Sequence, residues 1–188
     1  MATPNEAILH QLIAEIWNQG NMANLDTLVA ESYIVASDPG DPWNGQTLDH
    51  ETYKRRVAYT REAFAGVTFD IHESLVDDDR VAIRWTMSGT HSGDLPRLPA
   101  TGRTFAVGGM TFYYFQDGKV AGHRQAFDQL GFLAQIGRLA LGSDAARINS
   151  GASAGSKILS DSNPVFRPEQ KNDLAVRGAT SSAGNGSL

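Results

Sequence analysis

An Asp-Gly pair, Asp117-Gly118, lies between two strand-like runs, Phe105 to Phe115 and Lys119 to Phe127. A two-residue reversal needs positive φ, which Gly supplies without steric cost, so this pattern predicts a tight hairpin. The first arm is apolar or aromatic on both faces over much of its length, which predicts a central strand covered on both sides. In the second arm the odd positions, Lys119, Ala121, His123, Gln125 and Phe127, share the face expected to point inward. Polar groups on a buried strand face are either satisfied core groups or the floor of a ligand site.

The chain leading to this hairpin begins with helices. Thr3, Pro4 and Glu6 form a capping-box signature, and Ile8, Leu9, Leu12, Ile13, Ile16 and Trp17 follow as a wide apolar stripe at helical spacing. Asn18 to Asn21 stops this helix. A short helix is expected over Asn24 to Ala30, a short strand over Tyr33 to Ala36, a loop over Ser37 to Gly45 and a third helix over Thr47 to Ala65. After Gly66 the period changes to two. That predicts one strand from Val67 to Val76, a turn at Asp77-Asp78-Asp79 and a second strand from Val81 to His91. Three adjacent acids suggest a cation, but calcium loops need spaced oxygen ligands, so the turn is the reading taken. Asp128 opens a last helix carrying Leu130, Leu133, Ile136, Leu139 and Leu141, with Gly142 as its stop. Helices first, then an antiparallel meander, is an α+β plan. A strongly curved sheet wrapped on the N-terminal helices would leave a cone-shaped cavity, the kind of concave apolar site that takes small molecules.

Composition removes several classes. The net charge of −5 comes with no basic stripe, which argues against a nucleic-acid surface. There is no cysteine, so neither a disulfide framework nor a thiolate metal site is available. No apolar run reaches membrane-spanning length and no signal pattern opens the chain, so no membrane partner and a cytoplasmic location are expected. Residues 1–142 form the expected domain. Residues 143–188 are rich in Ser, Ala, Gly and Asn and bury too little to offset ordering entropy, so a disordered tail is expected there.

Several short motifs then resemble one family. They are Asp79-Arg80-Val81-Ala82-Ile83-Arg84-Trp85, Gly89-Thr90-His91-Ser92-Gly93, Pro99-Ala100-Thr101-Gly102-Arg103, Asp117-Gly118-Lys119-Val120, His123-Arg124 and Leu133-Ala134-Gln135-Ile136-Gly137. Their order and spacing over roughly Ala7 to Leu141 resemble the SnoaL-like polyketide cyclases of the NTF2-like superfamily. The resemblance implies a cone-shaped fold with a curved antiparallel sheet. It also implies an intramolecular aldol cyclisation run by a pocket carboxylate, without metal or cofactor. In the best-studied members that acid directly follows the His-Arg pair. Here the position is Gln125, and an amide cannot accept the proton. A histidine of those cyclases on the neighbouring strand corresponds to Thr111.

The candidate residues follow. His123 has a side chain suited to proton transfer near neutral pH, or is a satisfied core histidine. Asp128 is the nearest remaining carboxylate, either a base or an N-cap of the last helix. Gln125 is expected to orient a substrate oxygen. Thr111, His91, Trp85 and Trp17 complete the expected binding set, each with a core or strand-end role as its alternative. Asp38 is a more distant alternative base, or an ordinary loop aspartate.

Two functions compete. One is a cofactor-independent enzyme abstracting a proton next to a carbonyl of an apolar small molecule, with cyclisation or isomerisation following. The other is a non-catalytic binding domain whose base was lost at Gln125. A third, epoxide hydrolysis, needs carboxylates converging on an arginine, and the inward strand positions supply no such pair. The apolar faces of Phe105 to Phe115 also lead to the expectation of a homodimer.

Overall fold

The computed structural model describes residues 3–139. The expected tail over 143–188 lies outside the described residues. Thr3 caps the first helix, α1 (Pro4–Gln11), through the expected capping box with Glu6. The helix then widens into a π-helical stretch, Leu12–Asn18, whose Leu12, Ile13, Ile16 and Trp17 are all buried. The wider turn keeps the pairs Leu12/Ile13 and Ile16/Trp17 on one side. Gly20, at φ 73, ends the helical path. Asn18 then clips this end to the sheet through both backbone polar groups of Phe69, at 2.8 and 3.1 Å. Arg61 Nη1 donates to the carbonyls of Trp17 and Asn18, each at 2.9 Å, so the last turn is held from two sides.

Helix α2 is shorter than expected, a single turn over Leu25–Leu28. Strand β1 (Val29–Ser37) takes over at Val29, because that residue already pairs with Val120. The two-residue strand β2 (Thr47–Leu48) stands where a helix start was expected, antiparallel to Tyr33 and Ile34. Helix α3 (His50–Ala63) begins behind Asp49, whose carboxylate accepts from the Thr52 N–H at 2.7 Å. The remaining strands are β3 (Phe64–Asp77), β4 (Arg80–His91), β5 (Thr104–Gln116) and β6 (Lys119–Phe127), and α4 (Gln129–Gln135) follows. The β5–β6 hairpin turns as expected, with Asp117 at φ 50 and Gly118 at φ 72.

The sheet is a curved, unclosed layer in the order β2-β1-β6-β5-β4-β3. It is mixed rather than wholly antiparallel, since β1 runs parallel to β6. The chain between the two strands, which runs through β2, α3 and β3 to β5, provides the long crossover that such a pairing requires. Gly122 allows the two strands to meet closely: a Cβ there would lie 2.7 Å from the Ile34 carbonyl oxygen.

One buried cluster joins the π-helical stretch, Tyr33, Tyr53 and Val57 to the inner faces of β4 to β6. A second joins Phe64, Val67, Phe105 and Val107 to Phe132 and Ile136 of the last helical segment. Burying each large side chain contributes about 1.5–3 kcal/mol, so these clusters fix the helices against the concave face. Strand β5 departs from expectation. Phe105, Val107, Thr111, Tyr113 and Phe115 alternate inward, but Met110 and Phe112 on the other face are 54% and 50% exposed. In the single chain only one face of this central strand is covered. Among the described residues no helix is long and apolar enough to cross a membrane.

Candidate active site

The concave face encloses a cavity of about 380 Å³. Its inner walls are Trp17 of the π-helical stretch, Tyr33 of β1, Arg56 and Tyr59 of α3, Trp85 of β4 and Tyr113 of β5. The exposed residues Pro39, Gly40, Pro96 and Gln129 stand at its rim.

Strand β6 reaches this cavity through a bulge. Tyr114 pairs with Gly122 but Phe115 pairs with Val120, which leaves Ala121 without a counterpart. The inward parity therefore changes along the strand. Val120 is buried before the bulge, while His123, Gln125 and Phe127 line the cavity after it. The expectation that Lys119 and Ala121 share their inward face does not hold; Lys119 instead donates to the Asp26 carbonyl at 2.6 Å. Arg124 points to the exposed side.

The polar end of the cavity is built around Asp38. This residue follows β1, is 4% exposed, and is met by three side chains from two elements, α3 and β6. Arg56 Nη2 of α3 donates to Oδ2 at 2.7 Å. Gln125 Nε2 of β6 donates to Oδ1 at 3.0 Å. His123 Nε2 stands 3.3 Å from Oδ2. Arg56 also binds Asp41 through Nε at 2.8 Å, and its guanidinium lies 4.9 Å above the Trp17 ring. Two carboxylates are thus bridged by one buried cation.

The direction of these bonds is determined by donor chemistry. The Trp85 indole can only donate, and it donates to Thr111 Oγ1 at 2.8 Å. Thr111 must then donate onward to Gln125 Oε1, at 3.0 Å. That leaves the amide nitrogen of Gln125 facing Asp38. An ionised Asp38 likewise requires a hydrogen on His123 Nε2, so His123 Nδ1 accepts from the Tyr33 hydroxyl at 2.7 Å. Burial lowers the His123 pKa, the hydrogen bond to Asp38 opposes that, and the Arg56 charge lowers it further. Burial pushes the Tyr33 phenol well up, which keeps it a donor. Burial pulls Arg56 down, but Asp41 and Asp38 outweigh it and the guanidinium ends above its ordinary value.

The residues expected from sequence separate into two groups. His123, Gln125, Trp85 and Trp17 line the cavity, with Thr111 directly behind Gln125. Asp128 and His91 lie apart from it. Asp128 Oδ1 accepts from the Gly131 N–H at 2.7 Å, the N-cap of α4, and the residue belongs to a shallow depression lined by Arg84, Gly108 and Met110. His91 is fully buried between Phe64 and Phe132, with Nδ1 3.2 Å from Thr101 Oγ1. Arg56, Asp41 and Tyr33 are the site residues that sequence reasoning missed. A signal existed for Arg56: it falls with Tyr53 and Val57 at i, i+3 and i+4 on the buried face of α3, where a charge needs a partner. Among the described residues no group of three or more His, Asp or Glu has the arrangement of a metal site.

Known proteins place this architecture. The family model described as SnoaL-like polyketide cyclase matches residues 7–136. A candidate polyketide cyclase of known structure from Acidithiobacillus ferrooxidans is 38% identical, with a TM-score of 0.67 over 74% of this chain and 99% of that one. IdmH, a candidate polyketide cyclase from Streptomyces antibioticus, is 27% identical, with a TM-score of 0.58 over 72% of this chain and 99% of its own. TsrD from Streptomyces laurentii is 24% identical, with a TM-score of 0.62 over 72% and 96%, and bears on the fold alone. No match is found among functionally curated proteins. With its curved mixed sheet, its enclosed cavity and a family model covering most of the described residues, this chain belongs to the SnoaL-like polyketide cyclase family.

Proposed function

We propose that the protein is a cofactor-independent enzyme that removes a proton from the carbon beside a carbonyl of an apolar small molecule, leading to ring closure or isomerisation. Asp38 is the base in this reading. It stands at the wall of the cavity as a carboxylate whose hydrogen-bond partners are all donors. The C–H bond of the substrate breaks, its proton passes to Asp38, and the electron pair moves onto the carbonyl oxygen. His123, with both ring nitrogens engaged, orients Asp38 through its Nε2–H. Gln125 holds Asp38 with one amide hydrogen and has the other for a substrate oxygen. The single observation behind this is the 3.0 Å contact between Gln125 Nε2 and Asp38 Oδ1. The position at which the family resemblance implies an acid is an amide, and the carboxylate that follows β1 stands directly against it. Asp128 takes no part in the reaction.

The test is deuterium uptake beside the carbonyl in D₂O, across a panel of aromatic ketones and β-keto esters. Uptake accelerated by the wild type supports the proposal. A panel left untouched, though bound, favours the binding-only alternative.

A second reading has its own observation. Asp38, Arg56 and Asp41 form the carboxylate–arginine–carboxylate cluster that water-activating epoxide opening requires. Incorporation of ¹⁸O from labelled water into a diol, made from an apolar epoxide and lost in Asp41→Asn, would select it.

A further inference from the structure

The Arg56 guanidinium is divided between two carboxylates. An arginine commonly grips one carboxylate through two parallel N–H bonds. Here the two nitrogens of one edge go to different partners: Nε donates to Asp41 Oδ2 at 2.8 Å and Nη2 to Asp38 Oδ2 at 2.7 Å. The loop after β1 fixes this division. The Asp41 N–H donates to the Asp38 carbonyl at 3.0 Å, and Asp41 Oδ1 accepts from the Trp43 N–H at 2.7 Å. Asn44 Oδ1 accepts from the Asp38 N–H at 2.6 Å. Both carboxylates line the cavity.

One buried cation needs one buried anion, so the second carboxylate exceeds what neutrality requires. The titratable groups facing Asp38 are Arg56 of α3, Asp41 of its own loop, His123 of β6, Tyr33 of β1 and Tyr113 of β5. Burial keeps both phenols protonated and favours the neutral form of His123. Asp41 is therefore the negative charge that opposes Arg56 at this end of the cavity. A carboxylate held alone by a buried arginine is a weak proton acceptor, because the cation favours its ionised form.

We propose that Asp41 is a positioning residue acting through Arg56: it takes one nitrogen of the guanidinium edge and offsets its charge, and so leaves Asp38 a stronger proton acceptor. This role rests on Asp38 being the base of the proposed reaction.

The experiment titrates Asp38 through the ¹³C resonance of its carboxyl group in ligand-free protein labelled at aspartate, with Asp38→Asn identifying the signal. Deuterium uptake by a ketone that the wild type exchanges is followed over the same pH range. Asp41→Ala should move the Asp38 midpoint down by about one pH unit. The acid limb of uptake should move down with it, and the rate on the neutral plateau should fall roughly threefold, because a weaker base removes the proton more slowly. Asp41→Glu keeps the charge and should hold the midpoint near that of the wild type. Loss of structure alone would lower the plateau without moving the limb. Asp41→Asn serves in the same way if Asp41→Ala does not fold. A midpoint unchanged or raised in the neutral variants, or lowered equally in Asp41→Glu, would overturn the proposal. If the wild type exchanges no ketone, the assignment of Asp38 as base fails, and the carboxyl titration still decides whether Asp41 acts on Asp38. If uptake occurs and only the midpoint stays in place, this inference fails alone.

Discussion

Gln125 Nε2 lies 3.0 Å from Asp38 Oδ1, across the parallel pairing of β6 with β1. A carboxamide can serve here only because it has an oxygen for Thr111 and a nitrogen for Asp38. Replacing it therefore tests the arrangement of charge.

Gln125→Glu places a second carboxylate against Asp38. Two like charges at this separation cannot both ionise, and one pKa rises above its unfolded value. A carboxyl with a raised folded pKa supports the fold below its unfolded pKa and loses that support as pH rises through the folded value. The variant should therefore lose more stability relative to wild type at pH 8 than at pH 5. Thermal unfolding across that range checks it, and an equal loss at both ends would count against the arrangement.

Arg56→Met leaves Asp38 and Asp41 buried without their cation. Breaking a buried ion pair from one side costs about 3–5 kcal/mol. Adding Asp38→Asn to Arg56→Met should recover part of that loss, because one of the stranded charges is gone. Urea denaturation of the single and double variants measures both.

The approach of β1 to β6 depends on Gly122. Gly122→Ala drives a Cβ against the Ile34 carbonyl and should cost about 1–3 kcal/mol. The strand separation carries Asp38 away from Gln125 and His123, so turnover should fall further than stability alone explains. Activity measured well below the unfolding temperature separates the two effects.

Acid should weaken the fold through His123. Burial lowers its folded pKa below the ordinary histidine value of 6.5. The stability tied to its neutral form is then full above about pH 6.5 and lost as pH falls through the folded pKa. His123→Asn should show a shallower fall in melting temperature between pH 7 and pH 5 than the wild type. Parallel slopes would assign the acid sensitivity elsewhere.

The parts of the fold that were legible in the sequence are those with local causes. Thr3 and Glu6 identify the first helix, Asp117-Gly118 the hairpin, and the change of period after Gly66 the β3–β4 strands. The site was less legible because its carboxylate is brought in by pairing. Nothing near Asp38 in the chain indicates that β1 runs parallel to β6, so from the sequence Asp38 is only a distant alternative base or an ordinary loop aspartate. The bulge at Ala121 is equally silent, since it appears only in the register between β5 and β6. Gln125 lines the cavity, and the carboxylate it touches lies 87 residues away in sequence.

The claim that Asp38 supplies the base is tested most directly by deuterium uptake beside the carbonyl in Asp38→Asn and Asp128→Asn, measured in parallel with a ketone that the wild type exchanges. Asp38→Asn should slow uptake by roughly 10²–10⁴, with Asp128→Asn retaining the wild-type rate once differences in stability are allowed for. Uptake retained in Asp38→Asn and lost in Asp128→Asn would contradict the account.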